Sequence, residues 1–209
     1  CEHIIEYYRA WQEEGYFFVQ MELCVRGNLE DFLGALITQK LRVPERTIWS
    51  WASHIISALH HIHGANVIHL DVKPQNVFLD RNGCLKLGDL GLARDITTTN
   101  TDVVEGDSRY MAPELLNASN VTTAVDIFSL GIMLFQISSS EYTKNLPNTG
   151  KIWRELRQDV IPPIRSVYSK GLSNLICAMM ASNPSRRPSA KALLSVDTIA
   201  EALLVRVRV

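Results

Sequence analysis

The sequence has little that gives a function away at first reading. Charge is balanced, with 21 Lys and Arg against 22 Asp and Glu and a net charge of −1. No basic field therefore argues for nucleic acid or an anionic membrane surface, and any partner must be inferred from local sites. The four cysteines, Cys1, Cys24, Cys84 and Cys177, are scattered without metal-ligand spacing, which reads as reduced thiols of an intracellular protein rather than a disulfide framework. Long apolar runs are missing too. The longest, residues 127–137, is broken by Ser129, Gly131 and Gln136 and falls short of the ~20 residues a membrane span needs. There is no initiating methionine, no internal repeat and no low-complexity linker, so no targeting segment can be judged at the Cys1 end. With 46% hydrophobic and 21% charged residues in a chain of 209, one well-filled globular domain is the expectation.

The pattern that is present is mostly helical. Phe17-Phe18-Val19-Gln20-Met21-Glu22-Leu23 follows Gly15 and reads as a strand ending at Gly27-Asn28. Over residues 44–63, Ile48, Ala52, Ile55, Leu59 and Ile62 recur at helical steps, with Pro44 suited to the first turn and Gly64 to the stop. Val77-Phe78-Leu79 and Cys84-Leu85-Lys86-Leu87 flank Asn82-Gly83, a strong hairpin signal. Residues 123–138 are apolar on nearly every face and predict a buried central helix. Residues 172–181 and 190–204 show helical spacing, separated by Asn183-Pro184 and Arg187-Pro188.

Four motifs occur in order on these elements. His69-Leu70-Asp71-Val72-Lys73-Pro74-Gln75-Asn76 resembles the catalytic loop of protein kinases, and Asp89-Leu90-Gly91 is similar to their Asp-Phe-Gly motif, with Leu90 in place of Phe. Met111-Ala112-Pro113-Glu114 resembles the close of the activation segment, and residues 126–131 resemble the central helix. A short loop between strands can aim a carboxylate, an ammonium and an amide oxygen into one cleft. Taken singly, each motif has a bland reading: Asp-Leu-Gly is commonly a turn, and Asp71 would serve as a loop cap. Taken in sequence order, on the contexts each requires, they point to a kinase.

The resemblance implies roles. Asp71 would accept the substrate hydroxyl's proton and Lys73 would neutralise the moving phosphoryl group. Asn76 and Asp89 would hold Mg2+ on ATP. Met21 would be the gatekeeper, Glu22 and Cys24 the hinge backbone partners of adenine, and Phe78 its apolar floor or else a plain core residue. The implied fold is α+β, mainly helical: residues 1–24 as the end of the N-lobe and hinge, residues 25–209 as the C-lobe. Glu114 and Arg187 are expected as a buried brace, and Asp126 as an acceptor for catalytic-loop N–H groups. His69 reads as a packed histidine, since Asp71 already fills the base position. The histidines at 54, 60, 61 and 63 lack a ligand partner set, so no metal site is assigned to them. The glycosylation sequons at Asn117 and Asn120 are taken as accidental in an intracellular protein.

Lys73, two positions after Asp71, follows the serine/threonine pattern. The stretch Glu105-Gly106-Asp107-Ser108-Arg109-Tyr110 instead resembles the Wee/Myt family of inhibitory kinases, as do Glu22-Leu23-Cys24 and Trp153-Arg154-Glu155-Leu156-Arg157-Gln158 with Pro162-Pro163. These last favour the membrane-associated Myt branch, whereas Asp89-Leu90-Gly91 resembles the Wee branch. The resemblance implies inhibitory Tyr or Thr phosphorylation of a cyclin-dependent kinase with its cyclin, in control of mitosis. It also implies a monomer in the nucleus or cytoplasm, with endomembrane association for a Myt-like protein. Leu70 stands where regulated kinases carry arginine, so no activating phosphate between Thr97 and Thr101 is expected. Nothing before Cys24 supplies a Gly-x-Gly loop or a lysine, so this stretch alone is expected to be inactive. The rival readings are another serine/threonine kinase, such as a translation-initiation-factor kinase, and a pseudokinase scaffold. Intact Asp71, Lys73, Asn76 and Asp89 argue against the scaffold.

Overall fold

The computed structural model describes residues 1–97, 106–117, 121–139 and 145–204. The threonines at 98, 99 and 101, Glu105, residues 118–120 of the two sequons and the terminal residues 205–209 lie outside them. The fold is a mainly helical α+β arrangement whose strand pairs are all antiparallel.

β1 (Tyr7–Glu13) and β2 (Tyr16–Met21) form a hairpin closed by Glu14 and Gly15, both at positive φ. All of its residues are exposed, and Trp11 stacks on Phe18 at 5.2 Å. α1 (Leu29–Thr38) starts where the Asn28 side chain accepts the Asp31 N–H, the preferred cap chemistry for an orphan first-turn donor. α2 (Glu45–Gly64) buries Ile48, Ala52, Ile55, Leu59 and Ile62, the stripe its spacing predicts. Pro44 is its cap rather than a member of its first turn, and Gly64 is its last residue.

β3 (Val67–Ile68) pairs with β6 (Arg94–Asp95), and the functional loops lie between them in sequence. β4 (Val77–Leu79) and β5 (Leu85–Leu87) form the expected hairpin. Its turn holds Gly83 at φ +82°, and Asp80 Oδ1 accepts the N–H groups of Asn82 and Cys84. Residues 3–5 add beside β5: Leu87 N–H donates to His3 C=O and Ile5 N–H to Leu87 C=O.

α3 (Ala124–Ser138) is buried at every position from Val125 to Ser138. Gly131 is the contact point with α5 (Lys170–Met179): a Cβ there would meet Met180 Cγ at 2.8 Å and Met179 Cβ at 3.0 Å. The small α4 (Gly150–Glu155) approaches the segment 108–111. The helix expected over residues 190–204 is two helices, α6 (Ala190–Leu194) and α7 (Asp197–Leu204), capped and split by local serine chemistry at Ser189 and Ser195. Among the described residues no helix is long and apolar enough to cross a membrane, and all four cysteines are free.

Candidate active site

The site is built on a fully buried carboxylate. Asp126, on α3, accepts the backbone N–H of Leu70 through Oδ1 at 2.9 Å and that of His69 through Oδ2 at 2.9 Å. His63, from the end of α2, bonds the same Oδ2 at 2.8 Å. A buried carboxylate is costly unless its lone pairs are met, and here three donors from two segments meet them. His69 is itself buried: Nε2 donates to Gly88 C=O at 2.9 Å while Nδ1 accepts the Asp71 N–H at 3.3 Å. One tautomer satisfies both bonds, so the ring acts as a strut between the loop and the end of β5.

The strut delivers Asp71. Its Oδ2 pairs with Lys73 Nζ at 2.7 Å and accepts from Asn76 Nδ2 at 2.7 Å, and the same amide nitrogen reaches Asp71 C=O at 2.9 Å. Asp71 and Asn76 are buried. Asn76 C=O accepts the Gly88 N–H at 2.9 Å, which brings the next residue, Asp89, to the edge of the same cluster. Asp89 is exposed, its N–H donates to the Tyr7 hydroxyl at 3.0 Å, and its Oδ1 accepts the Gly91 N–H. Leu70 (φ +67°) and Asp89 (φ +58°) are non-glycine residues in the left-handed region, and they flank the cluster on both sides. Such conformations cost about 1 kcal/mol or more each and gather at functional sites.

Asn76 and Asp89 offer an amide oxygen and a carboxylate, hard donors suited to Mg2+, which takes few protein ligands and completes its shell with water and phosphate oxygens. Among the described residues no cluster of three His, Cys, Asp or Glu side chains is arranged for a metal.

Met21, Glu22, Cys24 and Phe78 share one cleft of about 330 Å3 with Ile5 and Asp31. A Cβ at Gly88 would lie 2.8 Å from Ile5 Cγ1 and 3.0 Å from Phe78 Cε2, so the cleft floor touches the residue that precedes Asp89. The Glu22 carboxylate accepts from Glu6 N–H and Lys86 Nζ, both at 2.8 Å, and its own N–H donates to Glu6 C=O. Burial, aided by the Glu22 charge, pushes the Cys24 thiol up, so it stays protonated at neutral pH.

The segment after the cleft is equally constrained. Burial pushes the Asp107 carboxyl up, but the hydrogen bonds and charge of Arg109, with Lys73 nearby, prevail and its pKa is lowered. Asp107 therefore faces Arg109, and Asp71 and Lys73 meet directly. Tyr110 is buried, donates to Gln136 Oε1 at 2.7 Å and is pushed well above the usual tyrosine range by burial. Arg187 grips Glu114 with two bonds of 2.6 and 2.8 Å, the bidentate buried brace expected. Tyr7 at Asp89 and His63 at Asp126 carry no local signal in the sequence, because both contacts join distant segments. Arg157 and Trp153, seen there only within a run resembling Wee/Myt kinases, both reach Ser108 C=O.

The chain matches the family described as Protein kinase domain over residues 1–198. A probable protein kinase of Dictyostelium discoideum is 40% identical over 94% of this chain and 56% of its own length. The membrane-associated tyrosine- and threonine-specific cdc2-inhibitory kinase of Drosophila melanogaster is 39% identical over 93% of this chain and 35% of its own length. The mitosis inhibitor protein kinase wee1 of Schizosaccharomyces pombe is 30% identical over 95% of this chain and 25% of its own length. The chain thus spans about half the length of the first relative and less of the others.

Proposed function

The chain belongs to the protein kinase family, with Wee/Myt kinases among its relatives, and from that premise we propose that the whole protein transfers the ATP γ-phosphoryl group to a cyclin-dependent kinase. The acceptor is a tyrosine or threonine, and the effect inhibits entry into mitosis. The observation that carries this reading is the cluster of Asp71, Lys73 and Asn76 held by Asp126.

In this reading residues 1–24 are the end of the smaller lobe and the hinge, and the remainder to 209 is the larger lobe. Asp71 orients the acceptor hydroxyl and takes its proton, with its carboxylate kept in place by two neighbours. Lys73, 19% exposed at its side chain, reaches from that pair toward the solvent side, where its charge opposes the negative charge gathering on transferred oxygens. Asn76 and Asp89 hold Mg2+, which when bound neutralises the phosphate oxygens of ATP. Glu22 and Cys24 present backbone polar groups to adenine, Met21 is the gatekeeper, and Phe78 lies under the base. The cyclin-bound form is the substrate, and the enzyme acts as a monomer inside the cell, in the nucleus, the cytoplasm or on an endomembrane.

The test is transfer from γ-labelled ATP by the full-length protein to a cyclin-dependent kinase with its cyclin, followed by mapping of the labelled residue. The wild type labels a tyrosine or threonine of the glycine-rich loop, and Asp71→Asn lowers the rate by ~10²-fold or more. Wild-type protein without transfer, or an Asp71→Asn variant at full rate, overturns the reading.

A further inference from the structure

Arg157 is a buried cation that meets no carboxylate among the described residues; its donors go to carbonyls instead. Nε donates to Met111 C=O at 3.0 Å, Nη1 to Trp153 C=O at 2.9 Å, and Nη2 to Ser108 C=O at 2.8 Å and Arg109 C=O at 3.2 Å. The guanidinium lies 4.1 Å from the Trp153 ring centroid and 5.8 Å from that of Phe128. Trp153 Nε1 donates to Ser108 C=O as well, at 2.9 Å. The carbonyl left over, that of Tyr110, accepts Ser129 Oγ at 2.9 Å. Four successive carbonyls of an irregular segment are thereby each assigned a donor, three of them by α4 and the residues just after it.

Burying an unpaired cation is expensive, and an apolar side chain would fill the same space at less cost. What a fork of fixed N–H donors does, and an apolar group does not, is set the path of a backbone that has no helix or strand to guide it. The segment held follows directly on Asp107, whose carboxylate is lowered in part by the Lys73 charge, and it contributes no residue to the cleft that holds Met21 and Phe78.

We propose that Arg157 and Trp153 are positioning residues for the protein acceptor, holding residues 108–111 in the shape against which the acceptor segment docks. This rests on the reading of the cluster at Asp71 as a phosphoryl-transfer site. Loss of the clamp then weakens use of the protein acceptor and leaves ATP binding alone.

The test is steady-state kinetics on the full-length protein, varying ATP and the protein acceptor separately. Trp153→Phe keeps a ring over the guanidinium and deletes one donor to Ser108 C=O; Arg157→Lys keeps charge and loses the fork. Loss of one such bond raises the acceptor KM by about three- to tenfold in Trp153→Phe, and by more in Arg157→Lys, with the ATP KM unchanged. Where Arg157→Lys fails to fold, Trp153→Phe alone decides the matter. An unchanged acceptor KM, or an ATP KM that rises in step with it, overturns the clamp while Asp71-dependent transfer stands. If the wild type shows no transfer that Asp71→Asn abolishes, the underlying reading falls and the clamp with it.

Discussion

The side-chain nitrogen of Asn76 lies 2.7 Å from Asp71 Oδ2 and 2.9 Å from Asp71 C=O. That double contact closes the loop on itself and settles which way the amide points, since the nitrogen is the only donor it has. The amide oxygen is thereby kept as an acceptor. Asn76→Ala removes the brace on a buried carboxylate and an oxygen donor together. Its kcat falls by ~10-fold or more at saturating ATP, and the loss exceeds that of Gln75→Ala at the neighbouring position, measured in the same assay.

Asp126 is the anchor of that loop. Asp126→Asn offers one acceptor where two oxygens met the His69 and Leu70 N–H groups and the His63 ring. Leaving a buried donor unmet costs about 1–3 kcal/mol. Urea unfolding is expected to show that loss, and hydrogen exchange at residues 69 and 70 is expected to speed up more than exchange within α2.

Glu114 and Arg187 form a pair in which neither partner has water to fall back on. Arg187→Leu removes both guanidinium bonds to the buried Glu114 carboxylate and also frees the carbonyls of Ala124 and Ala181, so it destabilises by about 3–5 kcal/mol. The double variant Glu114→Leu with Arg187→Leu is expected to be less unstable than the sum of the two single changes, which a double-mutant cycle measures.

His54 and His3 give the fold a pH dependence. The rings stack at 4.3 Å, His54 Nδ1 accepts the Leu85 N–H, and His3 Nδ1 bonds Leu85 C=O. Burial, with His3 beside it, drives His54 from 6.5 to about 3, and burial lowers His3 as well against the pull of Glu2 and its bond to Leu85. Both are neutral in the folded chain and bind protons more readily once unfolded. Stability is therefore full above about pH 6.5 and is lost as pH falls toward 3. Between pH 7.5 and 5.5 His54 alone accounts for about 1.4 kcal/mol, and His54→Gln is expected to flatten that part of the profile in denaturant melts.

Gly88 decides how close the cleft floor sits to Asp89. Gly88→Ala places a methyl against Ile5 and the Phe78 ring, inside normal contact. It is expected to raise the ATP KM severalfold while costing about 1–3 kcal/mol of stability, read by kinetics and thermal melting together.

The parts of this molecule that were legible in the sequence are those whose signal is local. The apolar stripe of α2, the Asn82-Gly83 turn and the unbroken apolar face of α3 each carry their structure within a few residues. The loop from His69 to Asn76 was legible because its chemistry needs those groups at that spacing. α1 escaped notice although Asn28 caps it, because its apolar positions follow a Gly-Asn break that also reads as a loop. The pairing of Val67 with Asp95 joins residues far apart, and two-residue strands carry no period. The split of α6 from α7 depends on serine and backbone choices that helical spacing does not record. Arg157 was opaque for a different reason. A cation satisfied by carbonyls leaves no partner residue to find in the sequence.

Residues 71, 76 and 89 are proposed to serve one magnesium-phosphate site, and ATP affinity of the full-length protein with and without Mg2+ tests this. The wild type is expected to bind ATP at least about 10-fold more tightly with Mg2+, and Asp89→Asn to lose most of that gain while keeping its Mg2+-free affinity. An Asp89→Asn variant that keeps the full Mg2+ dependence, or a wild type with none, contradicts the account.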